Sequence, residues 1–433
     1  MDKKDNIGIG LLGLGVVGTG LVQALFDDEK CQISKHNELP IYLTGILVRD
    51  IDKSRLVKID PNLLTTDVSK ILDNPNTDIV VEVLGGEEPA NHLLMEALAK
   101  GKHVVTANKE IVAKYAQELL KQAQLNHVNF RFEASVGAGI PIISALETNF
   151  KADRVSGIRA IINGTTNYIL TRMTTGGIDF SDALIEAQQL GYAEPDPTND
   201  VEGIDANYKL SILAMLAFDT YIDPSDIYCE GISALDPRDF KYADELGYVI
   251  KLLAIAKEDA GVIQMRVHPV FLPKGLLLAK VDGVYNAIEF QAGLIGKVLM
   301  YGRGAGAEPT ASGILGDVLH IVNCVVRGDQ NRNIRFVGIG KRLAPMSDLL
   351  TSYYLRITVL DQAGVLSVIS KVFAKWAISI GSVIQKESDN IAQTAELVIL
   401  THLSKESSVQ NAVKEIKVLS EVVTIGSLIR VEL

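Results

Sequence analysis

The chain has 433 residues, 47% of them hydrophobic and 22% charged, and a formal net charge of −11. That length suits about two to four domains of an ordinary soluble globular protein. The acidic balance argues against a nucleic-acid or anionic-membrane partner, both of which need basic patches.

The N-terminus, with Asp2, Lys3, Lys4 and Asp5, runs straight into a strand-like segment and lacks the apolar stretch of a secretory signal. No run approaches the roughly 18 apolar residues of a membrane span. Cys31, Cys229 and Cys324 are far apart and in no metal spacing, which fits a reducing compartment without a disulfide framework. The expected location is the cytoplasm.

From Ile7 to about Phe132, short apolar runs alternate with helical patterns. The runs are Ile7–Leu14, Ile41–Val48, Ile79–Leu84, Val104–Thr106 and Val128–Phe132. Such runs lack polar alternation because strands of parallel βαβ units are buried on both faces. The stretch from about Ile140 to Leu319 mixes strands with long helices, read as Gly203–Phe218 and Asp239–Asp259. The polar stretch Arg327–Ser347 reads as a linker. After it come a strand, a helix, two strands, a helix and a strand: Tyr353–Leu360, Gly364–Trp376, Ile378–Lys386, Thr394–Leu400, Lys405–Ile416 and Val422–Val431. The expected class is α/β with a Rossmann-type nucleotide domain at 1–139, completed by about 303–326. An α+β domain follows at 140–302, then a linker at 327–350 and a βαββαβ domain at 351–433.

Gly13-Leu14-Gly15-Val16-Val17-Gly18 follows the first strand and opens the helix Val16–Phe26. Gly13 makes the tight turn, Gly15 lets backbone approach a pyrophosphate, and Gly18 lets helix pack on strand. The free N–H groups of Val16 and Val17 at the helix start favour the anion. At the end of the second strand Arg49 precedes Asp50. An arginine there accepts the 2′-phosphate of NADP and an acidic residue holds the ribose of NAD, so NADP is favoured and NAD stays open. Thr106-Ala107-Asn108-Lys109 closes another strand, at the carboxyl end where ligands bind in this architecture. Lys109 is thus placed to face nicotinamide and substrate, or is simply a surface lysine opening its helix.

Asn163-Gly164-Thr165-Thr166-Asn167-Tyr168-Ile169 and Gly191-Tyr192-Ala193-Glu194-Pro195-Asp196-Pro197 closely resemble motifs of the homoserine dehydrogenase family. Thr106–Lys109, Glu133–Pro141 and Gly304–Asp317 add to the resemblance, in the family's order through roughly residues 5–325. The family interconverts L-homoserine and L-aspartate 4-semialdehyde with NAD(P). By this resemblance Lys209 is the general acid–base, oriented by Asp205 one helical turn away. A free lysine titrates near 10.4, and a second cation at Lys109 with partial burial would lower it. Glu194 and Asp200, with Lys109, would bind the substrate. The segment Gly302–Gly313, with Gly306 and Thr310, would return to the coenzyme. Glu133, Val136, Ala138 and Ile140 resemble the family's monovalent-cation loop, which holds sodium by a carboxylate and backbone carbonyls. An ordinary surface salt bridge at 205/209 and a glycine hinge at 137–139 are the plainer readings of the same residues. The family also forms homodimers through the sheet of the 140–302 domain, which is its catalytic domain, and pairing of a C-terminal domain can extend these to larger homo-oligomers.

Three rivals fit less well. Aspartate-semialdehyde dehydrogenase needs a thiolate nucleophile, and no cysteine lies in a motif or beside a base. A hydroxy-acid dehydrogenase would want an Arg/His/Glu constellation that the seven histidines do not form. A non-catalytic amino-acid sensor leaves the pair Lys109 and Lys209 unexplained.

The last 80 or so residues resemble an ACT domain. Asp361-Gln362-Ala363-Gly364-Val365-Leu366 matches that family's ligand loop, and Val383-Ile384-Gln385 its second strand. Ala363 stands where proline is frequent. The resemblance implies an amino-acid effector, L-threonine, at Asp361, Gly364 and Gln385. It leaves open a docking module that binds nothing. On this reading, deletion after about Leu343 leaves an active enzyme indifferent to threonine.

Overall fold

The computed structural model describes residues 5–26, 39–329, 340–389 and 391–432. Cys31 and residues 330–339 of the expected linker lie outside them. The chain divides into two compact units. The first comprises Met1–Ser156, Tyr208–Asp226 and Phe290–Gly340; the second comprises Gly157–Asn207, Ile227–Glu289 and Lys341–Leu433.

In the first unit, six strands are β1 (Ile7–Leu12), β2 (Ile41–Leu47), β3 (Leu64–Thr65), β4 (Ile79–Glu82), β5 (His103–Thr106) and β6 (Phe130–Arg131). They form one parallel sheet in the order β3-β2-β1-β4-β5-β6. This is the doubly wound dinucleotide order, with its switch point between β1 and β4. Every residue of β1 and β4 is buried, which is why both read as unbroken runs. The α/β class expected from that alternation is the one adopted.

The helix Ala307–Arg327 completes this unit. By length and composition alone it could cross a membrane, although Glu308, Asp317 and His320 interrupt its apolar residues. Its apolar face instead belongs to the core formed with Leu21, Val22 and Ile46. Its buried Asp317 accepts from Arg131 Nε at 3.2 Å and from the Glu133 N–H at 2.7 Å.

The second unit contains β7 (Val155–Ile161, from Gly157 on), β8 (Tyr228–Cys229), β9 (Tyr248–Asp259), β10 (Val262–Pro273) and β11 (Tyr285–Ala292, up to Glu289). β12 (Gly296–Arg303) leads back into the first unit. The sequence reading of one helix over Asp239–Asp259 is wrong. The helix is Pro237–Glu245, opened by an Asp236/Asp239 capping box with Pro237 at its start. Gly247 then takes φ +83° and the chain enters β9, buried along most of its length. A fully buried strand and a buried helix show the same apolar run, so periodicity alone did not separate them.

The C-terminal part adds β13 (Arg342–Leu343), β14 (Leu350–Leu360), helix Val365–Lys375, β15 (Ile380–Asp389), β16 (Thr394–Thr401), β17 (Ser404–Lys405), helix Glu406–Ile416 and β18 (Val422–Val431). β14, β15, β16 and β18 form an antiparallel sheet in the order β18-β14-β16-β15. The two helices close a core around Tyr353, Phe373 and Ile399. The expected linker is partly structured, because β13 pairs with β10. β18 also pairs with β10, Val270 opposite Arg430 and Phe271 opposite Val431, so the two sheets are continuous.

Candidate active site

The first unit builds a dinucleotide cradle. Gly13 takes φ +106°, and a Cβ there would stand 2.9 Å from the Val83 carbonyl oxygen. A Cβ on Gly18 would lie 2.3 Å from the Gly13 carbonyl oxygen, so helix and turn touch backbone to backbone. Nothing lies within 4 Å of a Cβ on Gly15, and Val16, the first residue of its helix, is 75% exposed. Open space before free helix N–H groups fits a coenzyme pyrophosphate. Gly306 opens the helix Ala307–Arg327, and the Thr310 hydroxyl donates to its carbonyl at 2.7 Å. Ala307 packs where a Cβ on Gly20 would be, 2.8 Å away. The late glycine segment therefore lies beside the helix that starts at Val16.

Arg49 and Asp50 are exposed just beyond β2. Asp50 turns its carboxylate onto its own loop, accepting from the Asp52 N–H at 2.9 Å. On the other side of the switch point, the buried Glu82 accepts from the N–H groups of Leu84 at 2.7 Å and Gly85 at 3.3 Å. It also accepts from the Thr106 hydroxyl at 2.5 Å. Thr106 in turn accepts from the Asn108 N–H at 3.0 Å, and the Asn108 amide donates to the Gly86 carbonyl at 2.7 Å. Asn108 then caps the helix Lys109–Leu125 by accepting from Ile111. Lys109, half-buried, is thus the first residue of a helix whose start is fixed from β4 and β5.

Glu133, Val136, Ala138 and Ile140 are all buried on one irregular loop, with Gly137 and Ala138 at positive φ. The Glu133 carboxylate caps the helix Ile142–Glu147, accepting from Ile143 N–H at 2.8 Å and Ser144 N–H at 2.7 Å. The Ala138 carbonyl lies 2.4 Å from where Gly313 would carry a Cβ, so that helix position admits only glycine. The donors are hard oxygens, as a sodium ion requires, although the carboxylate already serves two N–H groups.

In the second unit, Asn163 caps the helix Gly164–Gly176 by accepting from the Thr166 N–H at 2.8 Å. Its amide N–H₂ donates to Asp200 at 2.6 Å and to Asp205 at 2.9 Å. The Thr165 hydroxyl donates to the Tyr192 carbonyl at 2.7 Å, which joins the two family-like motifs. Glu194 is exposed on the Tyr192–Pro197 segment. Sequence reasoning gave Asn163 no role of its own. Its asparagine-before-helix pattern is an N-cap signal, but the amide's two carboxylates are 37 and 42 residues away in sequence. Asp205 stands in the first turn of the helix Ile204–Phe218, with Lys209 one turn later. Asp205 is 2% exposed and Lys209 8%.

Cys229 donates to the Glu202 carbonyl, and burial pushes its thiol up to about 11. A thiol held protonated is a poor nucleophile, so Cys229 does not offer the thiolate that the rival chemistry needs. In the C-terminal part, Asp361 and Gly364 share one exposed loop, and Gly364 takes φ +99° before its helix. Gln385 is exposed on β15, separated from β14 by β16.

A homoserine dehydrogenase family model matches residues 141–319, and a homoserine dehydrogenase NAD-binding domain model matches residues 13–133. The chain is 42% identical to a homoserine dehydrogenase of Synechocystis, over 98% of this chain and 99% of that protein. It superposes on the crystal structure of a homoserine dehydrogenase from Thiobacillus denitrificans with a TM-score of 0.91 and 41% identity, covering 99% of this chain and 98% of the other. A hyperthermophilic archaeal homoserine dehydrogenase in complex with NADPH matches 73% of this chain and 98% of its own, at 28% identity and a TM-score of 0.59.

Proposed function

This chain belongs to the homoserine dehydrogenase family of oxidoreductases, and from that premise we propose that it interconverts L-homoserine and L-aspartate 4-semialdehyde with NADP as preferred coenzyme. The observation that carries the reading is Asn163, whose single amide gathers Asp200 and Asp205 at the start of the helix bearing Lys209. The bound nicotinamide supplies the hydride acceptor or donor. Lys209 takes the proton of the C4 hydroxyl as the C4–H electron pair leaves and the carbonyl forms; in reverse it returns that proton. Asp205, fixed by Asn163, orients the Lys209 ammonium. Glu194 and Asp200 hold the substrate ammonium, and Lys109 faces the substrate from the end of β5. Glu133, Val136, Ala138 and Ile140 would hold a sodium ion that stiffens their loop, which exchange of sodium for choline in the assay tests. Adding L-aspartate 4-semialdehyde to protein and NADPH is expected to consume the coenzyme and yield homoserine. No consumption would contradict the function.

The preference for NADP rests on Arg49, exposed where the ribose would lie, while the Asp50 carboxylate is engaged by its own loop. A hydrogen bond to a charged group is worth enough for about a tenfold change in binding. Arg49→Ala is therefore expected to raise the KM for NADP about tenfold and leave that for NAD in place. Equal effects on the two would remove Arg49 from the 2′-phosphate.

The C-terminal βαββαβ part is proposed to act as an ACT domain that takes L-threonine at the loop of Asp361 and Gly364, with Gln385 contributing from β15. The exposed loop N–H groups at a helix start suit the effector's carboxylate. The continuous β10–β18 pairing offers a route to the catalytic part. Activity titrated with L-threonine is expected to fall, and Gly364→Val, strained at φ +99°, to abolish the response. Undiminished activity at millimolar threonine would leave the domain without this effector.

A further inference from the structure

Glu82 is the last residue of β4, beside the switch point. Its carboxylate is fully buried, and burial pushes its pKa up against the opposing pull of Thr106, Leu84 and Gly85. No cation pairs with it among the described residues. All its partners are uncharged donors on two loops, 84–86 and 106–108. Those loops are already tied to each other through Asn108 and the Gly86 carbonyl. Burying an unpaired carboxylate is costly, and a neutral side chain of the same shape would brace the loops with less desolvation. The negative charge therefore calls for a counterpart that the chain does not itself provide. Ligands of this fold lie outside the carboxyl ends of the strands, with the dinucleotide crossing at the switch point. The half of the sheet from β4 onward is the nicotinamide side. Oxidised nicotinamide carries a positive charge and reduced nicotinamide none.

We propose that Glu82 is a positioning residue of the coenzyme site whose buried negative charge favours the oxidised, cationic nicotinamide over the reduced one. The inference rests on the coenzyme reading above. Two unit charges within about 10 Å at an effective dielectric of about 20 interact strongly enough for a roughly tenfold change in affinity. A bracing role alone would alter both coenzyme forms together, whereas the charge acts on one.

The test is equilibrium binding of NADP⁺ and NADPH to the full-length protein, by calorimetry and nicotinamide fluorescence. Glu82→Gln is expected to weaken NADP⁺ about tenfold while NADPH affinity holds. Glu82→Asp and Thr106→Val both keep the charge, and each is expected to keep the parent ratio of the two affinities even if both affinities fall. Equal weakening of both forms in Glu82→Gln, or no change in either, overturns the proposal. Should Glu82→Gln fail to fold, Glu82→Asp decides it, because a lost preference there overturns it equally. A parent protein that binds neither coenzyme contradicts the coenzyme site itself, and the proposal with it.

Discussion

Replacing Lys209 with alanine is expected to lower kcat by roughly 10²–10⁴-fold, the usual loss when a general acid–base is removed. Lys209 follows Asp205 by one turn in the helix Ile204–Phe218, so both side chains lie on the same face. Both are buried, and Asp205 is held by the Asn163 amide at 2.9 Å. Alanine leaves the helix intact because it is the best helix former. Coenzyme affinity is therefore expected to stay near that of the parent, so the effect falls on kcat. Lys209→Arg separates charge from proton transfer: guanidinium keeps the cation but does not release a proton near neutral pH. It is expected to be nearly as inactive as alanine. Activity of Lys209→Ala within a few-fold of the parent would exclude Lys209 from the chemistry.

The second large effect concerns stability. Arg356, on β14 and 1% exposed, donates from Nε to Asp239 at 2.7 Å and from Nη1 to Glu396 at 3.0 Å. Asp239, fully buried in the helix Pro237–Glu245, also accepts from the Tyr354 hydroxyl at 2.9 Å. Glu396 also accepts from the Tyr242 hydroxyl at 2.7 Å. Gly426 lies so near that a Cβ would stand 2.7 Å from Arg356 Nη1. Arg356→Met leaves the buried Asp239 without its cation and Glu396 with only the half-exposed Arg238, at 3.0 Å, and removing one partner of a buried ion pair costs about 3–5 kcal/mol. A clear drop in the melting temperature of the second unit is the expected result. An unchanged melting curve would mean that this cluster contributes nothing net.

The same cluster bears on deletion after Leu343. As a sequence, the last 80 or so residues look separable, because a polar stretch precedes a self-sufficient pattern of strands and helices. In the fold, β18 lies along β10, Tyr354 stacks on Phe271 at 4.3 Å, and Arg430 reaches Glu230 at 2.8 Å. Truncation strips an edge from β10 and unpairs Asp239, Glu230 and Arg266, so the shortened chain is expected to lose stability. Variants of the Asp361–Gly364 loop are the better control for any effector.

Local patterns were the legible part of this protein. β1 and the Gly13–Gly18 turn were readable because a strand buried on both faces and a glycine spacing are properties of neighbouring residues. Both motif blocks, at 163–169 and 191–197, stood out for the same reason. Glu82 did not, since a carboxylate ending an apolar strand looks like any strand-end charge. Its meaning comes from Thr106, 24 residues away. The Asn163 bridge was hidden likewise, its caps and carboxylates lying on three separate elements. Where one pattern serves two structures, as in the apolar run after Gly247, only the surrounding sheet decides between them.

Hydride transfer itself is the central claim, and isotope transfer tests it most directly. L-homoserine carrying deuterium at C4, incubated with the full-length protein and NADP⁺, is expected to deliver deuterium to the reduced nicotinamide, detected by mass spectrometry, with the remaining deuterium in the semialdehyde. Unlabelled reduced coenzyme, or none formed at all, would contradict the account.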